Sequence, residues 1–289
     1  MTSLQTQRNS SFDIIKCIAA FLVVCIHYLP KCNMLDAYVN AFCRTAVPLF
    51  FIISGYYYDK IKSAYKLKLY IIKIVKLTTF ASLLYFIVCA IKPILEGNIT
   101  EWLYITFSPQ KLFYWLILNA YPISDHLWYL YALIYAIVAN VIADMLKLNK
   151  YLIYISFVLL FLHVVLNTEY YCLYLRNWLF MGVPFVVLGR WLCSHERQII
   201  QLPIENWKIY AIIIISLIFL FIEILYRQKF DALYKDLYFS VIPCVVAVSV
   251  LSIKNPFMGI GSYVSRVGQV NSSDIYIPYN YRGYYDVIG

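Results

Sequence analysis

Three ionisable side chains sit on an apolar helix that has no ordinary use for them. The stretch Phe12 to Tyr28, FDIIKCIAAFLVVCIHY, is long enough to cross a bilayer, yet it carries Asp13, Lys16 and His27. An ionisable group inside a membrane helix is costly and asks for a reason. The spacing supplies one. Eleven positions separate Lys16 from His27, close to three helical turns, so both share one face about 16 Å apart along the axis. Asp13 lies one turn from Lys16 on nearly the same side. A stripe of this kind suits a bundle interior or a watery cavity rather than lipid. Asp13 and Lys16 read either as members of that stripe or as helix-end charges reaching the headgroups. His27 reads as a functional group rather than an interface anchor.

Arg44 is the second unexpected charge. It stands about five residues into the next apolar run, which ends AFCRTAVPLFFIISGYYY. The two runs are antiparallel neighbours joined by a short loop, so His27 and Arg44 are expected at similar depth near one surface. A fixed cation disfavours protonation of a nearby imidazole. A neutral imidazole can take a proton from a hydroxyl, and a guanidinium can steady an oxyanion or a phosphate. The other reading of Arg44 is a snorkelling interface residue. Pro48 is expected to loosen this helix in its middle, and Ser54-Gly55 to allow close approach at its inner end. His126 and Trp128 open a later apolar helix at the same surface, either as acceptor-site residues or as interface anchors. Glu223 and His163 read as interface or packing residues, and Arg190 as a snorkelling one.

These side chains need a membrane scaffold, and the composition describes one. Of the 289 residues 63% are hydrophobic and only 13% charged, against about 25% charged in a soluble domain. The fold class is all-α, a polytopic transmembrane bundle of about 8–10 membrane helices. The net charge of +9 marks cytoplasmic loops rather than nucleic-acid binding. The first apolar run is too long, and lacks the small-residue site, for a cleaved signal peptide. None of the eight cysteines forms a metal-binding spacing, and no metal, nucleotide loop or serine-hydrolase elbow is expected.

Residues 1–11 are expected as a polar cytoplasmic tail and 12–289 as one membrane domain. Apolar spans fall at about 12–29, 39–58, 69–91, 126–146, 151–166, 177–193, 207–226 and 237–253. Residues 92–125 contain no apolar run approaching the ~20 residues that a crossing needs, and read as an external loop with an interfacial or re-entrant helix. The basic segment holding Lys60, Lys62, Lys66, Lys68, Lys73 and Lys76 is cytoplasmic by the positive-inside rule, which places the N-terminus inside. Arg227, Lys229 and Lys235 then fall on the outer side, against that rule.

At this point the motifs carry a resemblance. FDIIKCIAAFLVVCIHY followed by RTAVPLFFIISGYYY, then HLWYLYALI at 126–134 and FMGVPFVVLGRW at 180–191, resembles the acyltransferase-3 family of integral membrane acyltransferases over about residues 12–280. The resemblance implies about ten helices in a bacterial cytoplasmic membrane. It implies transfer of an acyl group, often acetyl, from cytoplasmic acyl-CoA to a hydroxyl on an extracytoplasmic glycan or lipid-linked saccharide. Acyl-CoA enters as donor substrate, and no permanently bound cofactor is implied. His27 would be the base, Arg44 its cationic neighbour, and Asp13 and Lys16 part of the acyl-CoA path. The family commonly has Arg where this chain has Lys16. Near the end, Ser273-Asp274-Ile275-Tyr276-Ile277-Pro278-Tyr279 puts Tyr279 where the family often has His, and the final helix is expected to be missing. A related membrane module precedes the racemase domain of membrane serine racemases. It suggests an alternative, transport of a small solute such as L-serine.

Overall fold

The computed structural model describes residues 9–28, 34–61, 63–166, 172–228 and 236–266. Within them every regular element is helical. The first helix, α1 (Ser10–Tyr28), begins with a cap. The Asn9 side chain accepts a hydrogen bond from the Phe12 N–H at 3.0 Å, meeting one of the orphan donors of the first turn. Asn9 also donates to the Ser252 carbonyl at 3.0 Å, and the Ser11 hydroxyl donates to the carbonyl of Asn255. Residues 9–11, expected in a solvated tail, are therefore buried against the end of the last helix.

The second span is not one helix. It is α2 (Met34–Cys43) followed by α3 (Ala46–Lys60), with a turn at Arg44 and Thr45. Pro48 explains the break. It has no N–H to offer the Arg44 carbonyl four residues back, and its ring would crowd that carbonyl. The helix restarts at Ala46, so Pro48 lies in a first turn, where a missing donor costs little. The proline thus loosens the helix at its beginning rather than in the middle.

Next come α4 (Ala64–Leu95) and two short helices, α5 (Ile99–Thr106) and α6 (Pro109–Leu118). Neither short helix can span a bilayer. The chain continues through α7 (Trp128–Met145), α8 (Asn149–Leu166) and the single turn α9 (Cys172–Leu175). A π-helical turn, Trp178–Gly182, leads into α10 (Val183–Ser194), then α11 (Glu196–Gln201), α12 (Asn206–Gln228) and α13 (Val241–Lys254). Six stretches are long and apolar enough to cross a membrane, and Trp178–Ser194 and Val241–Lys254 are shorter apolar ones. They coincide with the eight expected spans. The chain is a multi-pass membrane protein.

The stretch Leu35–Lys60, α2 with α3, is the centre of the bundle: 61% of its apolar 18-residue segment is buried, against 17% for α8 and 22% for the corresponding segments of α4 and α12. The bare faces of those three, rich in Leu, Ile, Val and Phe, are what lipid would cover. Helices α3 and α10 meet backbone to backbone. A Cβ on Gly55 would lie 2.0 Å from the Val186 carbonyl oxygen, and one on Gly189 2.0 Å from that of Ile52. The close approach expected at Ser54-Gly55 is made there, with Gly189 as its counterpart. Elsewhere Glu223 of α12 accepts from the Ser240 hydroxyl at 3.0 Å and from the Phe239 and Ser240 N–H groups. It caps α13 from a neighbouring helix. His163 is fully buried, with Nδ1 3.3 Å from the Phe180 carbonyl oxygen. Lys62, Lys229, Lys235 and the segment Ser273 to Tyr279 lie outside the described residues.

Candidate active site

The end of the bundle where α1 finishes holds a cavity of about 220 Å³. His27, Arg44, His126 and Trp128 all line it, together with Arg176, Asp236, Tyr129 and Met181. Each is delivered by a different local device. The last turn of α1 presents His27, which is exposed. The break that Pro48 imposes sets Arg44 off the helix axis. His126 sits in a 3-10 turn, Asp125–Leu127, capped by the Ser124 hydroxyl, which accepts from the His126 N–H at 3.4 Å. Trp128 opens α7, its ring 6.3 Å from that of Phe51 on α3. A platform of Trp115, Tyr121 and Tyr131 supports the loop before His126. Tyr121 donates to the Ser82 carbonyl at 3.0 Å. Burial, with a contribution from Tyr131, pushes its phenol up to about 12.

Two contacts define the electrostatics. The His27 and His126 rings lie 3.7 Å apart between centroids, tilted by 55°. Arg44 is paired with Asp236, and its Nε donates to Asn40 Oδ1 at 2.9 Å. The Asp236 carboxylate, itself largely buried, therefore balances the cation expected beside His27. Among the described residues the Nη2 donors of Arg44 make no hydrogen bond. Asp236 follows a basic loop and Arg176 lies near a helix end, and neither stands out in the sequence.

The opposite end is chemically different. Asp13 and Lys16 pair at 3.5 Å, both nearly fully buried, and the Lys16 ammonium lies 4.7 Å over the Tyr57 ring. They sit inside the bundle rather than among headgroups. Arg190 does not snorkel. It donates to Asp144 at 2.7 Å and Asn140 at 2.9 Å, pairs with Asp59 at 3.4 Å, and covers the Tyr58 ring at 4.8 Å. It ties α10 to α7 and α3. A second cavity of about 240 Å³ lies beside this knot, lined by Asp59, Asn149, Arg190, Trp191 and Ser194. It has no imidazole in its lining, and its guanidinium is already committed. The far-end cavity is the better candidate.

The chain belongs to the acyltransferase-3 family: the family's acyltransferase domain matches residues 9–272, nearly the whole bundle. It is accordingly a membrane acyltransferase, an enzyme that transfers acyl groups other than aminoacyl ones. No curated protein and no solved structure shows significant similarity to it.

Proposed function

We propose that the enzyme moves an acyl group, acetyl in the simplest case, from acyl-CoA to a hydroxyl of a glycan or lipid-linked saccharide held in the far-end cavity. The observation that carries this reading is the convergence of His27, Arg44, His126 and Trp128 on one cavity in a chain of this family. His27 takes the acceptor's hydroxyl proton. The oxygen attacks the thioester carbonyl, and the developing oxyanion meets the uncommitted donors of Arg44. The C–S bond breaks, the ester forms, and the CoA thiolate recovers the proton from the imidazolium. The donor's thioester arrives from the other end, along the side of α1 where Asp13 and Lys16 lie, while the CoA moiety stays near Lys16. The N-terminus and the Lys-rich end are cytoplasmic in this reading.

Label transfer from radioactive acetyl-CoA, supplied to inverted membrane vesicles, tests it. Vesicles with wild-type protein should label lipid-linked or polymeric saccharide, and His27→Ala vesicles at equal protein level should not. Equal labelling would end the assignment of His27. Absence of labelling in both, with L-serine uptake by the wild type, would replace acyl transfer by transport.

A further inference from the structure

Among the described residues the charges that line the far-end cavity do not balance. Arg44 is neutralised by Asp236. Arg176, on the same wall, forms no ion pair among the described residues. Its guanidinium lies 5.6 Å over the Trp128 ring, which holds it against the cavity wall instead of extending it to the headgroups.

The backbone beside it is well anchored. The Asn177 side chain accepts from the N–H groups of Leu179 and Phe180 at 2.8 and 3.1 Å. It also donates to the Tyr174 carbonyl at 2.5 Å. The next residue is tied as well: the Trp178 N–H donates to Asn119 Oδ1 at 3.0 Å and its indole N–H to the Ile117 carbonyl at 3.1 Å. A partly buried guanidinium on an anchored backbone, with no carboxylate partner among the described residues, is a fork suited to an anion.

We propose that the acceptor carries an anionic group, a carboxylate or a phosphate, and that Arg176 binds it while the reacting hydroxyl faces His27. This deepens the acyl-transfer reading and rests on it. The donor's phosphates are assigned to the opposite end in that reading, so the anion met by Arg176 belongs to the acceptor.

Equilibrium binding to the full chain in lipid nanodiscs tests this without turnover. The probes are methyl β-D-glucuronide, glucose 1-phosphate and the neutral methyl β-D-glucoside, with coenzyme A as a fourth ligand. Wild type should bind one or both charged sugars about tenfold or more tightly than the glucoside, the scale of a charge-assisted hydrogen-bonded contact. Which of the two binds tells carboxylate from phosphate. Arg176→Gln should erase the preference, Arg176→Lys should keep part of it, and His27→Ala should keep all of it while losing transfer. Retained folding of the variants is read from their elution as single species. Charged and neutral sugars binding alike, a preference surviving in Arg176→Gln, or a weakened affinity for coenzyme A in that variant would each overturn the proposal. Retained turnover in His27→Ala would instead remove the base assignment and leave the anion preference to stand or fall on binding alone.

Discussion

Arg44 gets its position from Pro48 and its electrostatic balance from Asp236. That division predicts different outcomes for substitutions at the two ends of the ion pair. Arg44→Lys keeps the charge and loses the planar fork. On the proposed mechanism it should lower kcat by about 100-fold, the usual scale for losing an oxyanion donor, with the donor KM nearly unchanged. Asp236→Asn removes the negative charge opposite the guanidinium in a largely enclosed site. Removing one member of a buried pair costs about 3 kcal/mol. It should appear as earlier thermal unfolding in detergent as well as slower transfer. Equal behaviour of Asp236→Asn and wild type in both measurements would mean that the pair is a bystander. The histidine and the arginine were legible because a charge in an apolar run is conspicuous. Their partner was not, because the acid that completes the site is supplied 192 positions away in sequence, and only the fold brings it there.

The elements themselves were legible to within a few residues, since each span is a predominantly apolar run. What their hydropathy could not carry was the break at Arg44 and Thr45, because the residues around it remain apolar. The local signal was steric: a proline four residues downstream. Pro48→Ala restores a donor to the Arg44 carbonyl and allows α2 and α3 to fuse. It should leave unfolding temperature unchanged or raised and sharply reduce transfer, because Arg44 would turn away from its Asp236 partner. A variant as active as wild type would show that the break does not position the arginine. The α3–α10 contact predicts a graded series. Alanine at Gly55 or Gly189 would place a methyl 2.0 Å from a carbonyl oxygen and force the helices apart, costing about 3 kcal/mol or more. At Gly182 the nearest atom is the Ala136 Cβ at 3.1 Å, and alanine there should cost clearly less. Equal unfolding temperatures across the three would contradict the close packing.

At the scale of the whole molecule the charge is segregated by end, and the contacts reveal this better than counting along the chain. Arg190 joins Asp59 at the end of α3 to Asp144 at the end of α7, so Lys147 and Lys150, just beyond α7, share the end that carries Lys60, Lys66 and Lys68. Lys254 joins the same end, donating to the carbonyls of Leu202 and Ile204, and Asn255 accepts from Ser11 beside the start of α1. Arg44 and Arg176 belong to the other end, one neutralised and one proposed as a ligand-binding group. The proposed reading takes the Lys-rich end as cytoplasmic, as the positive-inside rule would have it, and His27 as extracytoplasmic. The basic residues at the end of α12 and just after it in the sequence, Arg227, Lys229 and Lys235, count against that orientation. Alkaline phosphatase fused after Glu96, between α4 and α5, should then be active, and the same reporter fused after Lys147 should be inactive. The reverse pattern would place His27 and the CoA pool on one side of the membrane. A reaction that carries an acyl group across the bilayer would then have no place in this protein, and its acceptor would have to be sought in the cytoplasm.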